Sequence, residues 1–254
     1  MTAALLGLAG LVLVVLGLVT ARRPVQPVPD RDGYFDRWSA THGGYDPRTG
    51  SVWVRGWLSM VLVLARPLAR RGVQPDVVTW SSLWLALLVL FLADVGGRWA
   101  VLAGVLVVAS ALLDSLDGGV AVLEDRQTSW GYVLDSVVDR CSDVVWVLAA
   151  VALGCPPELA LAVVSGIFLL ESVRARAGSA GFGEVGTVTV AERPTRVIVL
   201  APTLAVCGLW PEGASLVSVA GPAVLLGLTA VGIVQLAGVV RRALRERDRR
   251  GDRS

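Results

Sequence analysis

The length of its apolar runs constrains this chain more than anything else. From residue 76 onward, long apolar stretches follow one another, separated by short polar turns. A helix needs about 20 apolar residues to cross the hydrocarbon core of a bilayer. With 54% hydrophobic and only 17% charged residues, the composition excludes an ordinary soluble domain. The fold class this implies is all-α, a polytopic membrane helical bundle. Six core transmembrane helices are predicted, at 76–95, 99–123, 131–154, 158–177, 192–209 and 215–240.

Two segments precede this core. Residues 3–19 form another apolar run, followed by Ala21-Arg22-Arg23 and with no basic residue before it. Charges behind the run, not in front of it, suit an extra N-terminal transmembrane helix rather than a cleaved signal peptide. Residues 1–21 are therefore predicted as an anchor, and 22–51, rich in Pro, Gly, Asp and Arg, as a cytoplasmic linker. The membrane domain is expected over 52–240. It begins with VWVRGWLSMVLVLARPLARRG, whose Arg and Trp interruptions suit an interfacial helix. Pro67 is expected to bend or end that helix. A basic tail, 241–254, completes the chain.

The arginines orient the bundle. Net charge is +2, and every basic residue other than His42 is Arg. An even number of core spans places Arg66, Arg70 and Arg71, the loops after spans two and four, and the tail on one side, the cytoplasmic side by the positive-inside rule. Cys141, Cys155 and Cys207 stand singly, so neither a disulfide framework nor a zinc site is suggested.

Against this apolar background the stretch LLDSLDGGVAVLEDRQTSWGYVLDSVVDR (112–140) stands out. A carboxylate at membrane depth costs roughly 2.5–3.5 kcal/mol even on the lenient insertion scale. Asp114 and Asp117 share a face of one helix, and Gly131, Asp135 and Asp139 share a face of the next. The short loop makes the two helices antiparallel neighbours, so the acidic faces can meet. Four converging carboxylates repel one another, and divalent cations relieve this. All-oxygen ligands suit Mg2+ or Mn2+, and four aspartates can hold two ions for displacement at phosphorus. Taken singly, each acid could instead be a solvated helix end paired with Arg126 or Arg140. Gly118, Gly119 and Ala121 either admit a flat base or diphosphate close to the backbone or serve helix packing.

These residues resemble the signature of the CDP-alcohol phosphotransferase family, D-x2-D-G-x2-A-R-x8-G-x3-D-x3-D. Asp114, Asp117, Gly118, Ala121, Gly131, Asp135 and Asp139 match it, and Val122 stands where the family has Arg. The resemblance implies six core helices, two divalent ions (Mg2+ or Mn2+) and CDP-diacylglycerol as donor. The phosphatidyl group would pass to a small polar alcohol or its phosphate with release of CMP, a step of phospholipid biosynthesis. Asp114, Asp117, Asp135 and Asp139 would be the metal ligands, and Asp139 also the catalytic base. Thr79, Gly118, Ala121 and Gly131 would form the nucleotide site. A second stretch, SVRARAGSAGF…VAERPTRVIVL, resembles the phosphatidylinositol-phosphate synthase branch. It makes Arg174, Arg176, Arg193 and Arg196 candidate ligands of the acceptor, with inositol phosphate favoured and glycerol phosphate next; ordinary helix-end anchoring also explains such arginines. A homodimer in a bacterial plasma membrane, with its active site facing the cytoplasm and no nucleic-acid partner, is the further expectation. A divalent-cation transporter would account for the acids but not for the glycine spacing. A non-catalytic relative would account for Val122.

Overall fold

In a computed structural model the chain is described over residues 27–180 and 189–251. The predicted anchor at 1–21 lies outside these residues. Among the described residues there are eight α-helices, a 3-10 turn at Pro211–Gly213 and no strand. The helices are α1 (Arg31–Thr41), α2 (Val52–Arg70), α3 (Pro75–Val95), α4 (Arg98–Glu124), α5 (Ser129–Ala152), α6 (Pro157–Ser179), α7 (Arg193–Leu209) and α8 (Ala214–Gly251). Two compact units are built from them. The first holds the chain up to Phe91 together with Leu106–Ser142; the second holds Leu92–Val105 and everything from Asp143.

Each predicted core span is one helix, with ends within about two residues of the prediction. The exception is α8, which continues to Gly251, so most of the expected tail is helical. Among the described residues, four stretches can cross a membrane by length and composition: α2, α3, α4 and residues 211–247. α5 carries Asp135, Asp139, Arg140 and Asp143, α6 carries Glu158, Glu171, Arg174 and Arg176, and α7 has 17 residues. α2, read from its sequence as interfacial, is thus also long and apolar enough to span.

The first unit corrects the sequence reading in one place. The segment expected as a linker contains α1, and this helix is docked. Asp30 caps it by accepting a hydrogen bond from the Gly33 N–H at 2.9 Å, and Asp32 lies in its first turn. Gly43 and Gly44, at positive φ, stop it. The following loop folds back through Arg48, which pairs with Asp32, Asp36 and Asp46 at 3.2, 2.7 and 3.3 Å. Tyr34 and Phe35 are each 1% exposed, in one apolar cluster with Leu58, Val61, Leu62, Val120, Val122 and Leu123. Burial pushes the Tyr34 phenol up to about 12.

Pro67, expected to bend or end α2, lies inside it, and the helix continues to Arg70. The carbonyl it frees, that of Val63, lies on an exposed side of the helix. Gly72 ends α2 instead, with φ of 68°. Its N–H bonds the Ala69 carbonyl and that of Val73 bonds Leu68, the paired closure of a Schellman motif.

α4 meets α2 at Gly119, where a Cβ would lie 2.6 Å from the Val61 side chain. α3 joins α4 through the Ser110 hydroxyl, which donates to the Ser82 carbonyl at 2.8 Å. α4 ends as α2 does, here with Asp125 at φ 51° and the Arg126 N–H bonded to the Ala121 carbonyl at 2.9 Å. Thr128 then caps α5, accepting from the Gly131 N–H at 2.9 Å. That tight turn sets the register of the two acidic helices.

In the second unit small residues carry the packing, as helix contacts without a hydrophobic driving force require. Gly104 of α4 lies against the Ala201 carbonyl of α7, and Gly221 of α8 against Thr203. Gly166 of α6 faces Thr229 of α8.

Candidate active site

The aspartates belong to the first unit. Carboxylate oxygens of Asp114 on α4 and of Asp135 and Asp139 on α5 lie within 4.8 Å of one another. Two such charges at about 4 Å repel by roughly 4 kcal/mol at an effective dielectric of about 20. The donor set is purely oxygen, all three side chains are partly buried, and the spacing lets one cation touch all of them. These residues fit a hard divalent ion of the Mg2+ or Mn2+ type.

Asp117, a neighbour by sequence, is oriented differently. It is 5% exposed, and its Oδ2 accepts from the Thr79 hydroxyl at 2.5 Å while Oδ1 accepts from the Gly118 N–H at 2.5 Å. Thr79 sits one turn into α3, within reach of the Pro75 carbonyl at 3.2 Å. Three helices therefore contribute to the aspartate site: α3 holds Asp117, and α4 and α5 bring the other three together. Asp139 is additionally 3.5 Å from Arg140.

The two adjacent glycines have separate roles. A Cβ on Gly118 would meet nothing within 4 Å, so the backbone beside Asp117 borders open space. Gly119 is the packing contact with Val61. Ala121 is half-buried on the same helix, and Gly131 is engaged by the Thr128 cap. Val122 is 4% exposed and packed in the α1–α2 cluster. Arg126, one turn on, is 3.4 Å from Glu124.

The arginines belong to the second unit. Arg174 on α6 bonds Glu192 at 2.6 Å and lies 3.6 Å from Glu171. Arg193 is stacked over Trp146, its guanidinium carbon 5.5 Å from the ring centroid. Arg176 is exposed. Arg196, grouped by sequence with the acceptor arginines, is 1% exposed and clamped between Asp143 and Glu171, each at 2.7 Å.

Sequence reasoning missed Asp143, Glu171 and Glu192. Asp143 had a signal, since it extends the four-residue series of Asp135 and Asp139 by one more turn of α5. It also missed Arg37, which donates to the Leu123 carbonyl at 2.6 Å from a segment read as linker.

This chain is similar to several known proteins. The phosphatidylinositol phosphate synthase of Cutibacterium acnes is 31% identical over 199 residues, 74% of this chain and 95% of that protein. The archaetidylinositol phosphate synthase of Pyrococcus horikoshii is 30% identical over 54% of this chain and 72% of its own length. Among solved structures, Mycobacterium tuberculosis phosphatidylinositol phosphate synthase with manganese and citrate superposes with a TM-score of 0.59 at 26% identity, covering 71% of this chain and 88% of that one. The same enzyme with CDP-DAG bound also gives 0.59 and 26%, over 72% and 94%. The family model for CDP-alcohol phosphatidyltransferase matches residues 73–240, which contain all four aspartates, and the chain belongs to that family.

Proposed function

We propose that the protein transfers the phosphatidyl group of CDP-diacylglycerol to an inositol phosphate, forming a phosphodiester and releasing CMP. One observation carries the reading: Asp114, Asp135 and Asp139 converge beside the open backbone at Gly118, in the register of the family signature. Relatives and the solved neighbours named as phosphatidylinositol phosphate synthases support the acceptor class, and the CDP-DAG complex supports the donor.

In this reading the acceptor hydroxyl oxygen bonds to the lipid-side phosphorus, and that phosphorus parts from the oxygen it shares with CMP. Asp139 takes the hydroxyl proton as general base. Asp114, Asp135 and Asp139 hold Mg2+ or Mn2+, with Asp117 completing a two-ion set. The ions, when bound, neutralise the diphosphate and stabilise the leaving group. Thr79 holds the Asp117 carboxylate, and Gly118, Ala121 and Gly131 line the nucleotide side. Arg174, Arg176 and Arg193 are assigned to the acceptor phosphate through fork-like hydrogen bonds. Arg196 positions α5, α6 and α7 through Asp143 and Glu171. The site faces the cytoplasm, and the enzyme works as a homodimer in the plasma membrane; the arginine distribution supports the first and the family resemblance the second.

The test is CMP release from CDP-diacylglycerol by purified protein, with Mg2+ or Mn2+ and a panel of polyols and polyol phosphates. Release is expected with inositol phosphate, and Asp139→Asn should lower it by about 10²–10⁴-fold. Release that survives this substitution, or none with any acceptor, overturns the reading. A preference for glycerol phosphate would correct only the acceptor.

A further inference from the structure

α2 presents two faces. One is buried against α1 and α4 through Leu58, Val61, Leu62, Ala65 and Ala69. On the other, Trp53, Trp57, Met60 and Leu64 follow one another at steps of three and four residues, all exposed, with Val63 alongside. This stripe runs into a cavity of about 420 Å³ lined by Val63, Arg66, Pro67, Arg70 and Arg71. No ion pair joins these three arginines to a carboxylate among the described residues. Arg66 makes one long contact, 3.4 Å to the Pro29 carbonyl, and its Nε is buried without a hydrogen-bond partner among them.

We propose that this cavity binds the phosphate of an anionic phospholipid, whose acyl chain lies along the Trp53–Leu64 stripe. A phosphodiester supplies the oxygens that three guanidinium groups at the end of a helix can fork onto. The apolar stripe decides the source, because a free phosphate has no use for it, whereas an arginine cluster ending an apolar face sits at headgroup level. The same arginines repel the cationic headgroup of a zwitterionic lipid, so the site selects for net negative charge. None of the four aspartates lines it, and the opposite face of α2 is the one that packs on α4, where Val61 and Ala65 abut Gly119.

Native mass spectrometry of the full-length protein in non-ionic detergent, titrated with phosphatidylglycerol and phosphatidylcholine of matched chains, tests this. Phosphatidylglycerol is expected to bind first and about tenfold or more tightly. Each arginine near an anionic headgroup is worth about fivefold, so Arg70→Gln with Arg71→Gln should remove most of that preference, and Lys at both positions should keep it. Both side chains are exposed, so the pair decides the matter even if Arg66→Gln loosens the Pro29 contact. Equal binding of the two lipids, or a preference untouched by the Gln pair, overturns the proposal. So does displacement by millimolar inorganic phosphate, which marks a free-anion site. Loss of the preference in Asp114→Asn would place the lipid at the catalytic centre and overturn it as well.

Discussion

Val122 is where this chain leaves its family's signature, and its surroundings explain how valine is accommodated. The side chain is buried among Tyr34, Phe35, Leu58 and Val61, so this face of α4 is covered by α1 and α2. Restoring the family residue would drive a guanidinium into that apolar cluster. Val122→Arg is therefore expected to unseat α1, with a loss of about 3 kcal/mol or more, and to leave CMP release no higher. Limited trypsin digestion checks it: cleavage between residues 31 and 50 should accelerate. A variant with higher activity and an unchanged digestion pattern would contradict this account. The aspartate register itself was legible, because three- and four-residue spacings translate directly into a shared helix face. That Asp117 turns toward Thr79 was not, since the choice depends on a hydroxyl 38 positions away.

At the level of elements, α1 and the buried arginine clamp are the parts the sequence concealed. Residues 24–50 are polar overall, so no amphipathic stripe announces a helix there. α1 is held by its Asp30 cap and by two aromatic rings that find their contacts on α2 and α4. Phe35→Ala should lower stability by about 3–5 kcal/mol, read as a fall in thermal midpoint, whereas Asp36→Ala on its exposed side should change little. The long apolar helices α3 to α7 and the start of α8, by contrast, were legible to within a turn, because run length alone defines them; the polar end of α8 was not. Arg196 looked like a ligand because sequence shows its charge and not its partners, which lie 53 and 25 residues away. Asp143→Asn removes one buried partner and is expected to destabilise by about 3–5 kcal/mol. The double change Asp143→Leu with Arg196→Met should recover part of that loss in the same thermal assay; if it is no more stable than the single variant, the clamp is not what holds those helices.

For the whole molecule, the aspartate site links ligand binding to folding. Three carboxylates that repel one another in the folded chain are separated when it unfolds, so a cation that joins them favours the fold. Mn2+ at about a hundred times its dissociation constant should add about 2.7 kcal/mol. Adding a chelator should then lower the thermal midpoint, and Asp114→Asn should abolish the difference. An unchanged midpoint in the intact protein would show that these carboxylates hold no ion. The bond from Arg37 to the Leu123 carbonyl also has a consequence for synthesis. Its ends are 86 residues apart. At about 5–20 residues per second, α1 is synthesised roughly 4–17 seconds before its acceptor. During that interval its aromatic side chains have no α4 to bury against. A helix made before its α4 partner must therefore wait to complete its docking, and conditions that slow elongation between residues 41 and 123 should lengthen its exposure to proteases in the cell.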